Sequence, residues 1–470
     1  MTSDRAVTLL LDQRGESLVL PEARRAHALP LSVRQNASWM FAGNAVYAAC
    51  QWAMLMVLAK LGTAAMVGQF VLALAVTTPV MAFFMLQLRS VQATDAQGDY
   101  RFGDYLGLRL ITAVMAMVTV AAICLASGYD QATTLIILAA AASAAVDSIS
   151  DVVYGLLQQR ERMDRIALSM IVRGAVALAA LAAATLTTRN VFYGILAIAA
   201  TRALMLVLYD MPSAAIIIHR GASAAHTRGR GYERLLPRCE LRKTLALTKL
   251  SLPLGVVMML IGLSASIPRY FVEHYWGSRC LGIFGALGYL GLVGSTAVAA
   301  IGQSATPRLA QCYAARQRKA FNLLLFQLTG VGATLGLLGV VVAIVAGERI
   351  LALAYGAEYA AHNAILVWLM LAAGLGYVAA FAGYGVTAAR YFKAQIPLFA
   401  AVVAATAAAC WWLVPRYGML GAALSLLIAA LTQLVGAGLI LAHAVRSPAR
   451  VVPLSPGVRG DDTRDALTGL

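Results

Sequence analysis

Residues 251–310, SLPLGVVMMLIGLSASIPRYFVEHYWGSRCLGIFGALGYLGLVGSTAVAAIGQSATPRLA, decide how this chain folds. An apolar span from Leu250 to Phe271 ends in Ile267-Pro268-Arg269-Tyr270-Phe271. A polar turn through Glu273, His274, Tyr275 and Trp276 follows. A second apolar span then runs from Leu281-Gly282-Ile283-Phe284 to Gly302-Gln303-Ser304, with Pro307-Arg308 behind it. Each leg has about 20 mostly apolar residues, the length a helix needs to cross a bilayer. This is a helical hairpin for a membrane. Its echo lies near the other end of the chain, where Leu61-Gly62 is followed by Gly68-Gln69-Phe70, as Trp276-Gly277 is followed by Gly282-Ile283-Phe284. The repeat predicts a chain built twice.

Working outward, the 470 residues are 61% hydrophobic and only 12% charged, with a mean hydropathy of +0.76. That rules out an ordinary soluble domain. The net charge of +16 would suggest nucleic acid in a soluble protein. In a membrane protein the placement of the cations decides their meaning, so no nucleic-acid partner is expected. The six Cys form no C-x-x-C pair, so neither a disulfide framework nor a zinc site is implied. With no phosphate-binding Gly loop, H-E-x-x-H or nucleophile elbow either, no metal, cofactor or catalytic residue is expected.

Twelve stretches are long enough to span. They are roughly Trp39 to Leu61, Ala65 to Leu88, Tyr105 to Ala126, Thr134 to Leu157, Ile166 to Leu186 and Val191 to Leu208, then Leu250 to Phe271, Leu281 to Ile301, Leu323 to Ala346, Ala364 to Ala389, Ile396 to Val414 and Leu420 to His443. The fold class is therefore an all-α polytopic membrane protein. Twelve transmembrane helices, divided six and six by a long basic connector, form two six-helix lobes. The expected division is a cytoplasmic tail over 1–35, a first lobe over 36–209, a basic connector over 210–248, a second lobe over 249–446 and a cytoplasmic tail over 447–470. Lys and Arg support it. With both termini inside, the outer loops hold only Lys60, Arg189, Arg269, Arg279, Arg349 and Arg416, as the positive-inside rule demands. These outer loops are short, so any substrate is handled among the helices.

Charge inside apolar sequence is costly, about 2.5–3.5 kcal/mol for a cation at the helix centre, and marks function or pairing. Arg173 and Arg202 lie roughly 10 Å below the inner surface at 1.5 Å per residue. Asp147 and Asp151, four residues apart, share a face of the fourth span at similar depth. Two readings stand. Either these groups neutralise one another and pin three helices together, with Asp151 facing Arg173 across one hairpin, or they wall a polar cavity and leave an Arg for an anion. Arg109, one turn into the third span, either snorkels or joins them. Arg269 follows Pro268 in a span with no acid, with Glu273 one turn on. Tyr377, Phe381 and Tyr384 line one face of the tenth span and are read as packing rather than as a sugar platform.

Beyond periodicity, the set Pro253-Leu254-Gly255, Ile267-Pro268-Arg269-Tyr270-Phe271, Leu281-Gly282-Ile283-Phe284 and Ala300-Ile301-Gly302-Gln303-Ser304 through Ala310 resembles the bacterial polysaccharide (O-antigen-type) flippase family. So do Ser38-Trp39, Gly68-Gln69-Phe70, Leu86-Gln87-Leu88-Arg89 and Phe102 through Arg109 in the first half. That family belongs to the multidrug/oligosaccharidyl-lipid/polysaccharide (MOP) exporter superfamily. The resemblance implies two six-helix lobes around a central cavity that opens alternately to either side of the cytoplasmic membrane, and a polyprenyl-pyrophosphate-linked oligosaccharide as substrate. Other polysaccharide-export proteins are implied as partners beside the lipid bilayer. The family has no short signature to carry over, so the site residues rest on charge alone. Arg109, Arg173, Arg202 and Arg269 are the candidates for the pyrophosphate, because a guanidinium fork makes paired charge-assisted bonds to phosphate. Asp147 or Asp151 is the candidate for a coupling ion or for structural pairing. The alternatives are a multidrug-type cation exporter, which would want carboxylates in its cavity, and an integral membrane glycan polymerase or ligase, which would want a large outer loop.

Overall fold

The computed structural model describes residues 32–95, 98–221 and 236–446, and these are helical throughout with short turns. In chain order the helices are α1 (Val33–Leu61), α2 (Ala64–Met85), α3 (Leu88–Ala93), α4 (Phe102–Ser127), α5 (Gln131–Gln159), α6 (Met163–Thr188), α7 (Val191–Met205), α8 (Met211–Gly221), α9 (Leu241–Ala314), α10 (Arg318–Ala354), α11 (Ala357–Ala360), α12 (Asn363–Ala388), α13 (Phe392–Tyr417) and α14 (Met419–Arg446). Their starts follow from local chemistry. Ser32 and Gln35 form a reciprocal capping box on α1, while Thr63, Asp130 and Asn190 cap α2, α5 and α7 through side-chain oxygens.

Among the described residues eleven helices are long and apolar enough to cross a membrane. The longest, α9, crosses twice. It breaks at Gly277, whose φ of 76° and ψ of 175° belong to a region open in practice only to glycine. The two limbs of α9 are the hairpin expected from the sequence, and all twelve spans are present.

The connector departs from expectation. A π-helical turn, Leu206–Asp210, joins α7 to α8, so the helix runs on to Gly221 instead of ending before Asp210. The reason is apolar burial beyond that point, since Ala214 and Ile217 pack into the first lobe's core. The connector's cations between 222 and 235, and both tails (1–31 and 447–470), lie outside the described residues.

The bundle has a basal side, where α1 begins and α14 ends, and a distal side. Asn36 Oδ1 accepts from the Met163 amide at the base of α6, and Tyr313, at the end of α9, donates to the Ala444 carbonyl of α14. In the distal half one apolar core joins both lobes. It takes Leu55 and Leu58 from α1, Val67 and Val71 from α2, Leu287 from α9, and Leu351 and Tyr359 from the α10–α11 region. In the basal half there are two cores. Leu88, Tyr105, Val153, Ile166 and Leu247 form one, and Leu309, Phe321, Phe381, Val402 and Leu441 the other. The lobes are thus sealed distally and, among the described residues, have no common core basally.

The seal is made by the sequence repeat. A Cβ on Gly68 would collide with the Ser278 carbonyl oxygen, and one on Gly282 would collide with that of Ala64. The echoing glycines of the two halves meet, and only their missing side chains let α2 and α9 cross at backbone distance. Nearby, Trp52 Nε1 donates to the Tyr355 hydroxyl across the lobes at 2.8 Å.

The first limb of α9 stays with the first lobe. The Arg238 amide donates to the Gly103 carbonyl at 2.8 Å, Leu247 is buried in the first lobe's core, and the Tyr270 hydroxyl reaches the Ala75 carbonyl at 2.5 Å. Only past Gly277 does α9 join α12, where Tyr377 and Tyr384 lie against Gly294 and Gly302.

Candidate functional site

The charged layer expected in the first lobe exists, with partners the sequence did not specify. Two consecutive left-handed residues, Leu86 and Gln87 (φ 50° each), end α2 and fold the chain into α3. Gly155 on α5 leaves room for the Gln92 side chain, so α3 lies flat on α5. Arg89 is thereby laid along α5, its Nε donating to Gln158 Oε1 at 3.0 Å and its Nη1 lying 3.7 Å from Asp151. Arg109 arrives from α4, only 1% exposed, with Nη2 3.6 Å from Asp151 and Nη1 donating to the Phe84 carbonyl at 3.4 Å.

One turn away on α5, Asp147 accepts a short hydrogen bond from Arg173 Nη1 and has Arg202 Nη1 at 3.9 Å. The expected Asp151–Arg173 pair is therefore not formed. Asp151 is already engaged by Arg89 and Arg109 from α3 and α4, and the Arg173 guanidinium turns to the other carboxylate. Tyr154 binds the two systems together. The Arg89 and Arg173 guanidinium carbons lie 5.5 Å and 5.4 Å from its ring centre, and Arg173 lies 5.5 Å from that of Tyr47 on α1.

Behind Tyr154 is a second polar cluster. Its hydroxyl is 2.8 Å from Ser169 Oγ; Ser169 donates to Asp210 Oδ1 and Ser150 to Asp210 Oδ2, both at 2.7 Å. Asp210 is fully buried at the end of the π-helical turn and forms no ion pair among the described residues.

The arithmetic of charge favours anions. Four arginines (89, 109, 173 and 202) share two carboxylates in ion pairs. Among the described residues, the Arg109 Nε and Nη2 and the Arg173 Nε have no hydrogen-bond acceptor. The Asp147 side chain is 32% exposed and Arg202 15%, so this edge of the layer is open while Arg109 is sealed.

Arg269, on the first limb of α9, is half-buried and forms no ion pair among the described residues. Glu273 does not pair with it; its charged neighbours are His274 and Asp130. Tyr289, on the second limb, has both Arg269 and Tyr47 as electrostatic neighbours. Arg269 on the first limb, Tyr289 on the second and Tyr47 on α1, whose ring also faces Arg173, are thus electrostatic neighbours in series. The aromatic face of α12 does not join them. Phe381 is fully buried, and Tyr377 and Tyr384 donate to the Gly291 and Ala299 carbonyls as packing groups.

Comparison with known proteins gives the layer a context. The family model described as "Polysaccharide biosynthesis protein" matches residues 33–313. The chain belongs to that family. It is 26% identical over 403 residues to the "Capsular polysaccharide biosynthesis protein CapF" of Staphylococcus aureus, covering 85% of this chain and 97% of that one. Among solved structures, a point mutant of the Vibrio cholerae MATE transporter VcmN matches with a TM-score of 0.61 at 14% identity, over 88% of this chain and 96% of that one. A MOP-superfamily transporter from Pyrococcus furiosus matches with a TM-score of 0.58 at 14% identity, over 87% and 94%. The family found agrees with the polysaccharide resemblance read from the sequence, and the fold is that of solved MOP-superfamily transporters. This member of the polysaccharide biosynthesis family is a multi-pass membrane protein with the MOP transporter fold.

Charge in apolar sequence does not single out Arg89, Tyr154, Ser150, Ser169 or Asp210. Arg89 reads as a loop cation after an apolar span, and Asp210 as the first residue of a connector. Only the backtracking of α3 and the continuation of α7 through the π-turn bring them in.

Proposed function

We propose that this protein carries a polyprenyl-pyrophosphate-linked oligosaccharide across the cytoplasmic membrane by alternating access, with the basal side cytoplasmic. The observation that carries the reading is the first lobe's layer, in which four arginines share two paired carboxylates, together with Arg269, a half-buried cation without an ion-pair partner among the described residues. A pyrophosphate supplies the missing negative charge, and guanidinium forks match its oxygens. The polyprenyl tail stays in the bilayer while the sugars pass between the lobes. The placement of Lys and Arg supports the orientation. A distal seal with separate basal cores suits loading from the cytoplasmic leaflet, where such a carrier is assembled. The functional halves are the first lobe with the first limb of α9 on one side, and everything past Gly277 on the other.

A multidrug-type cation exporter would want a free carboxylate between the lobes, whereas in the charged layer Asp147 and Asp151 are paired with arginines and Asp210 is buried.

Proteoliposomes loaded with labelled lipid-linked oligosaccharide test the reading. Arg269→Ala and Arg202→Ala should each slow flipping at least about tenfold while leaving the folded fraction unchanged. Arg269→Lys should keep part of the rate, because charge remains without the fork. Full flipping by both alanine variants would overturn the assignment of the head group to these residues. A lengthened glycan would make the protein an enzyme instead.

A further inference from the structure

Asp210 is not used by the anion layer, yet it sits one hydroxyl behind it. It is fully buried, forms no ion pair among the described residues, and receives a 2.7 Å hydrogen bond on each oxygen from Ser150 and Ser169. The titratable and charged groups around it are Asp147 and Tyr154 on α5, Arg173 and Arg165 on α6 and the adjacent Tyr209, with Arg202 eight residues back on the α7 helix that leads into the turn. Of these, Arg173 and Arg202 are engaged with Asp147, and Arg165 donates to Ser213. None of these cations is left for Asp210.

We propose that Asp210 is a proton-binding site linked to the anion layer, so that a proton on Asp210 and a pyrophosphate group on the arginines favour each other.

The ligation shell is built for both states. Ionised, the carboxylate accepts from both serines. Protonated, it donates to one serine hydroxyl, and that hydroxyl rotates to another acceptor, such as the Tyr154 oxygen beside Ser169. No heavy atom has to move. A carboxylate with no ion-pair partner of its own is costly to keep ionised away from water, whereas a hydroxyl-bound carboxyl is not. Its place at the end of a π-helical turn, a feature enriched at functional sites, is the second structural mark.

Charge fixes the sign of the linkage. With Asp147, Asp151 and Asp210 ionised, the four arginines leave one surplus positive charge; a proton on Asp210 raises it to two. An anion therefore binds more tightly to the protonated site, and by reciprocity a bound anion draws the proton in. Tyr154 carries the coupling sterically as well, because it touches Ser169 on one side and the Arg173 guanidinium on the other. If Arg173 swings from Asp147 to an anion, the Tyr154 ring it lies against is free to turn, and the hydroxyl chain to Asp210 changes with it.

This inference rests on the anion-handling reading above, and inorganic pyrophosphate separates the two. Its dissociation constant is measured for the purified full chain and for D210N from acid to alkaline pH, and expressed as the wild-type to variant ratio, which cancels the probe's own protonation. The ratio should be near one at the acid end and climb to about tenfold weaker wild-type binding at the alkaline end. A ratio independent of pH would overturn the linkage while leaving the anion site intact. Absence of pyrophosphate binding by wild type at every pH would remove both the linkage and the head-group reading. Infrared difference spectra of wild type across the same range give a readout that does not need the variant to bind anions. A protonated-carboxyl band that appears on acidification and is missing in D210N supports proton exchange at Asp210, and the same band in both proteins excludes it.

Discussion

The two lobes spend the same helix in opposite ways. In the first, α5 turns Asp147, Asp151 and Tyr154 toward arginines from α3, α4, α6 and α7. In the second, its counterpart by order, α12, turns Tyr377, Phe381 and Tyr384 toward glycines of α9 and α10, with hydroxyls closed onto the Gly291 and Ala299 carbonyls. A ring in a glycine notch with its hydroxyl on a carbonyl has one good arrangement. Four guanidinium groups around two carboxylates have several, because charge-assisted bonds exchange partners at little cost. The first lobe is therefore the half that can respond to a charged cargo, and the second is the frame against which it moves.

The largest test of that contrast is Arg109→Ala. Arg109 is sealed against Asp151, and breaking a buried pair from one side costs about 3–5 kcal/mol, so thermal unfolding in detergent should fall sharply. Arg109→Met should recover much of the loss, since an apolar residue fills the volume; a loss equal to that of Ala would mean the pair's charge itself is required. Next comes the crossing that both lobes share. Gly282→Ala places a methyl on the Ala64 carbonyl, and overpacking of this kind costs about 1–3 kcal/mol. It should also open the distal seal, which cysteine accessibility on the distal side would detect.

A matched pair of tyrosines divides the lobes directly. Tyr377→Phe removes one buried hydrogen bond, worth about 1 kcal/mol, and should leave flipping rates intact. Tyr154→Phe should cost a similar stability and slow flipping as well, because its hydroxyl joins Ser169 and Asp210 to the arginines. Equal transport by the two variants would erase the distinction between a responsive lobe and a frame.

The smallest effect lies where local capping governs. Asp130 accepts from the Ala132 and Thr133 amides at the start of α5. Hydrogen bonding from Thr133 holds its carboxyl below the usual aspartate range. A lowered folded value means stability that is present above the unfolded value and lost as pH falls through the folded one. Asp130→Ala should cost about 1 kcal/mol at neutral pH, and the gap in Tm from wild type should narrow on acidification.

Much of this was legible in the chain. The hairpin of Leu250 to Ala310, the twelve spans and the echo of Gly68 in Gly282 all follow from hydropathy and repetition, because a bilayer imposes length and composition on every crossing segment. That Arg173, Arg202, Asp147 and Asp151 form one layer was legible too, since each crossing converts sequence position into depth at 1.5 Å per residue, whereas Arg109, one turn into its span, is open in the sequence between snorkelling and a role in the site.

Depth, however, is not azimuth. Which carboxylate each arginine meets depends on how the helices are rotated and what else arrives first, and so Asp151 went to Arg89 and Arg109 while Arg173 turned to Asp147. Arg89 and Asp210 entered the site only through a left-handed reversal at Leu86-Gln87 and a π-turn at Leu206–Asp210, features that packing selects and hydropathy does not signal. By itself the sequence determined a membrane bundle made of two halves with charge buried in the first. Only the tertiary structure decided which charges cancel and which stay available, because pairing is settled by side-chain geometry within a few ångströms while hydropathy is averaged over a whole helix.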